Sequence, residues 1–169
     1  QVFTAFYNRA KLFPVALPSD LANGTWFTDV LPAVELIDRL QTAHNNRLTG
    51  GFLHAYQQLE QISACRNYAV ERDFPAQAAT SELSPYLKFG CCSIRQAYYS
   101  IVDGLGSEHP LLRQLYWRDF FTHIAFHYPQ VFGHAFIAKY DRLPWENDLA
   151  KFQAWADGLT GFPIIDAAM

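Results

Sequence analysis

The stretch "ATSELSPYLKFG", residues 79–90, places the hydroxyls of Thr80, Ser81 and Ser84 ahead of a proline and closes on a glycine. Ser84-Pro85 reads as a helix start, with Ser84 as N-cap and Pro85 at the first helical position, where a missing N–H costs nothing. Gly90 ends that helix, because glycine takes the left-handed conformation without a Cβ clash. Ser93-Ile94-Arg95-Gln96 restarts one at once, and Gln96 stands three residues after Ser93 as in a capping box. The stretch therefore predicts short helices set end to end.

Outward from it the pattern holds. Ile94, Ala97, Tyr98, Ile101 and Val102 form an apolar stripe at helical spacing. A long helix is expected from Pro110 to His127, another over Leu149 to Asp157, and a further one from Ile164. Toward the N-terminus, Gly50-Gly51 precedes a helix with Phe52, Tyr56, Leu59 and Ile62 on one face, running to about Tyr68. Val34, Ile37 and Leu40 follow Pro32 at helical spacing. The first 28 residues read as loop, punctuated by Pro14, Pro18 and Asn23-Gly24. Asn23-Gly24-Thr25 matches a glycosylation sequon and is read as a turn. No run keeps a period of two. The fold class expected is all-α, with a linker-like segment over 1–28 and one helical domain over 29–169.

Half of the 169 residues are apolar and 16% are aromatic, which excludes a disordered chain. No apolar run reaches the roughly 18 residues of a membrane span. Thirteen basic and sixteen acidic residues give a net charge of −3, so no overall basic character advertises nucleic acid, although a local patch remains compatible. The three cysteines, Cys65, Cys91 and Cys92, lack metal or disulfide spacing and fit an intracellular reducing compartment as buried thiols.

Three groups of residues bear on chemistry. A helix N-terminus with Thr80, Ser81 and Ser84 beside it suits a phosphate, since orphan N–H groups and hydroxyls both donate; plain capping accounts for the same residues. In "LLRQLYWRDFF", residues 111–121, Gln114, Trp117, Arg118 and Phe121 fall at offsets of three, four and seven, a surface suited to a flat hydrogen-bonding ligand or a nucleobase. An amphipathic helix with Arg118 paired to Asp119 is the plainer alternative. His123 and His127 have the spacing of a helical metal pair but no glutamate and no third ligand, so no metal site is expected. No nucleophile elbow or supported Cys/His pair is present.

Taken together, "YAVERDFP" (68–75), "TSELSPYLKFG" (80–90), "QLYWRDFF" (114–121) and "FQAWADGLTGFPIIDAAM" (152–169) resemble the photolyase/cryptochrome family in order and spacing. The similarity spans essentially the whole chain and points to the first half of the family's helical FAD-binding domain. "QVFTAFYNRAKLFP" resembles the linker that leads into it. The resemblance implies FAD as cofactor and light-driven electron transfer from reduced flavin to a pyrimidine dimer flipped out of damaged DNA. It implies that Tyr68 contacts FAD, that Thr80, Ser81, Glu82, Leu83 and Ser84 hold its phosphates, and that Arg118 lies beside it. Leu111 stands where some members have a flavin-contacting tryptophan. Arg72 corresponds to an arginine on the DNA backbone. Gln114 lies where the family places Glu or Gln facing lesion and adenine, Trp117 corresponds to the tryptophan against the lesion, and Phe121 adds to that DNA-facing surface. Trp145 corresponds to the solvent-side tryptophan of the electron path.

Gln114 replaces the Glu of many dimer-specific members, and glutamine is frequent in (6-4) photolyases and cryptochromes, so lesion type and the choice between repair and signalling stay open. The rest of the flavin site is expected after Met169, and an antenna domain with its pigment before Gln1. The chain is accordingly expected to act with the missing C-terminal half of the domain, in cis or as a separate chain. A non-catalytic structural subunit derived from a photolyase is a third reading.

Overall fold

The computed structural model describes residues 2–19 and 48–169. The turn expected at Asn23-Gly24 and the helix expected from Pro32 lie outside the described residues. Among those described there are helices and turns and no strand, in agreement with the all-α expectation. The chain divides into two compact units, Gln1–His123 and Ile124–Met169.

The first unit opens with helix α1 (Val2–Ala10), which the proline-punctuated reading of residues 1–28 as loop had missed. Its reason is tertiary: Phe3 is 6% exposed and stacks on Trp117 in a later helix, a contact invisible to local punctuation. Residues 14–19 then run without regular structure, tied by Tyr99 and Arg95, whose side chains donate to the carbonyls of Val15 and Leu17.

Helix α2 (Phe52–Glu60) does not continue to Tyr68 as expected. It gives way to a 3-10 segment, Ile62–Asn67, kinked at Cys65, and then to α3 (Tyr68–Glu71). Its apolar face is also different, because Phe52 and Tyr56 are exposed while Ala55, Leu59, Ile62, Cys65 and Tyr68 are buried. The last three recur every third residue, the period of a 3-10 turn. The neighbour that sets this face is α5 (Ile94–Leu105). Its Ser100 hydroxyl donates to the Leu59 carbonyl at 2.6 Å, at the end of α2. A Cβ on Gly104 would come within 2.8 Å of the Ile62 side chain, so glycine permits the close approach.

Helix α4 (Ser84–Lys88) corrects the expected cap: Leu83 is the N-cap, Ser84 is already the first helical residue, and no side chain caps the turn. The Leu83 carbonyl accepts from the Leu87 N–H at 2.9 Å, which starts the helix one residue early. Gly90, at φ 70°, ends it as expected, and the Cys91 N–H reaches back to the Tyr86 carbonyl at 2.8 Å. The capping box at the start of α5 is present in both directions: the Gln96 N–H donates to the Ser93 hydroxyl at 3.1 Å, and the Ser93 N–H to Gln96 Oε1 at 2.7 Å. Helix α6 (Pro110–His127) has the bounds that its sequence predicts. The core joins Leu59, Ile62, Leu83, Tyr86, Cys92, Ala97, Ile101, Leu111 and Leu112.

The second unit holds two 3-10 turns, then α7 (Leu149–Ala156) and α8 (Pro163–Asp166). Both helices fall where the sequence places them. Asp148 caps α7, its Oδ1 accepting from the Ala150 and Lys151 N–H groups at 2.9 and 3.2 Å.

Candidate functional site

In the first unit, the chain entering α4 and one face of α6 enclose an open cleft of about 580 Å³. Ser81, Leu83, Ser84, Leu87 and Lys88 line one side; Leu111, Gln114, Leu115, Arg118 and Thr122 line the other, with Ile101 at the base. The geometry follows from the backbone. Glu82 sits at φ 50°, in the left-handed region that a residue with a side chain seldom enters. That single reversal buries Leu83, at 3% exposed, while Ser81 and Ser84 on either side line the cleft.

On α6 the residues at offsets of three and four from Leu111 turn inward. Leu111, at 5% exposed, closes the floor. Gln114, Arg118 and Thr122 follow on the same strip, and the Thr122 hydroxyl bonds back to the Arg118 carbonyl at 3.0 Å. Arg118 lies 3.9 Å from Asp119, and both side chains are about half exposed (49% and 52%), so this ion pair is weak and leaves Arg118 cationic toward the cleft. Lys88 adds a second cation, and among the described residues no carboxylate lines the cavity. An apolar floor below hydroxyls, an amide and two cations suits a nucleotide-like ligand, flat and apolar at one part and anionic at another.

Six of the sequence-selected residues are thus brought together: Ser81, Leu83, Ser84, Leu111, Gln114 and Arg118. Others are not. Trp117 and Phe121, expected to share a face with Gln114 and Arg118, do not line the cleft. One residue is about 100° of helix turn, so Trp117 lies well round the barrel from Arg118. Its indole stacks on Phe3, ring centroids 3.4 Å apart and planes 6° from parallel, and Phe121 stacks beside it at 5.7 Å. Thr80 and Glu82 open onto a separate hollow of about 230 Å³, shared with Ser81, Ile62 and Cys65. Tyr68 is buried, with the Arg72 guanidinium 5.5 Å from its ring centre; Arg72 also lies 3.6 Å from Asp73. Trp145 belongs to the second unit, where it is 74% exposed.

The polar lining residues that sequence reasoning missed are Lys88 and Thr122, which extend the spacing of Ser84 and Arg118 by one helical turn each. Sequence periodicity contained that signal, since both stand four residues on. Burial pushes the Cys65 and Cys92 thiols up, which keeps them protonated and inert, as structural cysteines are. Among the described residues no cluster of side chains could hold a metal ion, and no helix is long and apolar enough to cross a membrane.

Residues 111–169 match the family model for the FAD-binding domain of DNA photolyase. The whole chain aligns with the deoxyribodipyrimidine photo-lyase of Alkalihalophilus pseudofirmus, 32% identical, over 38% of that protein's length. The chain belongs to the photolyase/cryptochrome family. The Escherichia coli photo-lyase is 40% identical over 68% of this chain and 26% of its own length. Among solved structures, the archaeal photolyase of Sulfolobus tokodaii, determined with two FAD molecules, superposes with a TM-score of 0.79 at 35% identity, over 99% of this chain and 37% of that one. The class III photolyase of Agrobacterium tumefaciens gives 0.65 at 32% identity, over 72% of this chain and 27% of that one. The chain therefore spans about a quarter to two fifths of the length of the photolyases it matches.

Proposed function

We propose that this chain supplies the phosphate side of an FAD site in a light-driven DNA repair flavoprotein. The cleft between α4 and α6 carries the reading: hydroxyls of Ser81 and Ser84, the cations Lys88 and Arg118, and no carboxylate among the described residues, over a floor of Leu83, Leu111 and Ile101. Hydroxyl and guanidinium donors are the chemistry that a diphosphate takes, and a carboxylate-free lining avoids repelling it. FAD, when bound and reduced, supplies the photoexcited electron that splits a pyrimidine dimer. This chain's residues bind and orient. Ser81 and Ser84 donate to the phosphates, with Thr80, Glu82 and Leu83 shaping the turn that presents them. Arg118 balances the negative charge, and Leu111 and Tyr68 give apolar contact.

Gln114 offers its amide to the edge of an extruded base, and Trp117 and Phe121 give it a ring to stack on. Arg72 meets a DNA phosphate. Trp145 takes the solvent-side end of the electron path, a role that rests on family resemblance. The named photolyases among the relatives support repair over signalling. Gln114 is the residue that favours the second reading, a blue-light photoreceptor.

The protein carrying this chain is expected to purify with flavin absorbance and to repair dimer-containing oligonucleotides only under illumination. Flavin without repair moves the assignment to the photoreceptor. Absence of flavin contradicts both and leaves a structural subunit.

A further inference from the structure

Phe3 lies in the segment that sequence reading left as linker, yet it is among the most buried aromatic rings of the first unit, at 6% exposed. It is held from several directions. The Arg113 guanidinium lies 5.3 Å from its ring centre, Phe120 meets it edge-on at 5.6 Å and 77°, and Tyr7 lies at 6.0 Å. Against this fixed ring Trp117 lies flat, 3.4 Å away and 6° from parallel. Phe121 then stacks on Trp117 at 5.7 Å and 23°, and is 59% exposed. Three near-parallel rings therefore run from a buried end at Phe3, through half-buried Trp117, to an exposed end at Phe121.

We infer that Phe3 is a positioning residue for the Trp117–Phe121 stack: by fixing the indole it sets the plane of the exposed Phe121 ring, against which an extruded pyrimidine is received. The physical need is clear from the torsions. An indole on a helix surface has a broad χ2 well and samples many tilts, whereas stacking of a damaged base requires one. A flat partner with its own motion removed by burial supplies that one tilt before any ligand arrives, which lowers the ordering cost of binding. Helix α1 thus acts on the site without touching the ligand. This rests on the reading of Trp117 and Phe121 as the wall of the lesion site.

The test uses the full chain and the variants Phe3→Leu, which keeps apolar volume and removes the ring, and Phe3→Tyr, which keeps the stack. Indole NMR signals, with Trp117 assigned through Trp117→Phe, report the stack directly. Binding to a thymine-dimer oligonucleotide relative to its undamaged counterpart reports the function. Phe3→Leu is expected to shift the Trp117 signal and to reduce the preference for the dimer by roughly threefold to tenfold, the range that a lost aromatic pair converts to. Phe3→Tyr is expected to restore both, with unchanged far-ultraviolet circular dichroism throughout. A Trp117 signal unmoved in Phe3→Leu overturns the stack. A shifted signal with an unchanged preference overturns the positioning role alone. A parent chain without any preference for the dimer overturns the lesion-site reading and the inference with it.

Discussion

Residues up to His123 and those from Ile124 onward are both rich in aromatics, the latter more so, but are stabilised in different ways. Every buried apolar residue among those described lies between Phe3 and Leu112. The second unit exposes Phe132, Trp145, Leu149, Phe152, Phe162 and Ile164 and buries none of them. What shapes it is a set of aspartates, each closing a turn onto backbone N–H groups. Asp141 accepts from the Ala135 N–H at 2.6 Å, Asp148 caps α7, and Asp166 takes the N–H groups of Thr160 and Gly161 at 2.8 and 2.9 Å together with the Thr160 hydroxyl. The first unit rests on area removed from water, the second on local bonds worth about 1 kcal/mol each. The candidate cleft is built in the first kind of region, where side chains are held well enough to aim hydroxyls and cations.

The sharpest way to break this comparison is a matched pair of truncations. Ile101, at 1% exposed in the core, changed to Ala is expected to cost about 2–5 kcal/mol, whereas Ile164→Ala, at a site 71% exposed, is expected to fall within about 0.5 kcal/mol. Denaturant unfolding measures both, and similar losses would show that the second unit has a core after all.

Next in size is Gly158→Ala. Gly158 sits at φ 67°, and an added Cβ would meet the Asp166 carbonyl oxygen at 2.9 Å. Strain of about 1–3 kcal/mol is expected, read as faster amide exchange confined to 158–168, with the core of the first unit unchanged.

Capping gives a finer contrast within the first unit. Ser93→Ala removes the hydroxyl arm of a formed capping box, leaving the Ser93 N–H on Gln96 Oε1, and is expected to cost about 1 kcal/mol, while Ser84→Ala, with no cap bond to lose, stays within about 0.5 kcal/mol. Thermal melts separate the two, and equal losses would restore Ser84 as a cap.

The smallest effect is a pH dependence. The Thr160 hydroxyl, followed by the Thr160 and Gly161 N–H groups, holds the Asp166 carboxyl below its ordinary value. Its contribution is therefore present above the unfolded value, near pH 4, and is lost as pH falls through the lower folded value. The protection factors of the Thr160 and Gly161 amides, taken against intrinsic exchange at each pH, should fall on acidification in that window, and Asp166→Asn should abolish the dependence.

Much of this architecture could be read in the residues themselves. The bounds of α6, the Ser93–Gln96 box and the Gly90 stop are local chemistry, complete within a few residues. What escaped reading was non-local. Helix α1 forms ahead of the prolines that suggested a loop, where Phe3 finds Trp117 more than a hundred residues away. The buried face of α2 was set by Ser100 and Gly104 of another helix. At the site, the hydroxyls and Arg118 were legible as donors. The split of α6 into a cleft-facing strip and a Trp117 strip was not, because spacing alone does not say which side a partner helix takes. Nor was Glu82's left-handed turn, which its residue type does not advertise.

The central claim is that the α4–α6 cleft receives the phosphates of FAD. Titrating the full chain with FAD, by flavin fluorescence, tests it most directly when parent and Arg118→Glu are compared. Saturable binding by the parent, weakened at least tenfold by the charge reversal, is the result expected from a lost charge-assisted contact turned repulsive. Equal affinity of the two proteins would contradict the claim.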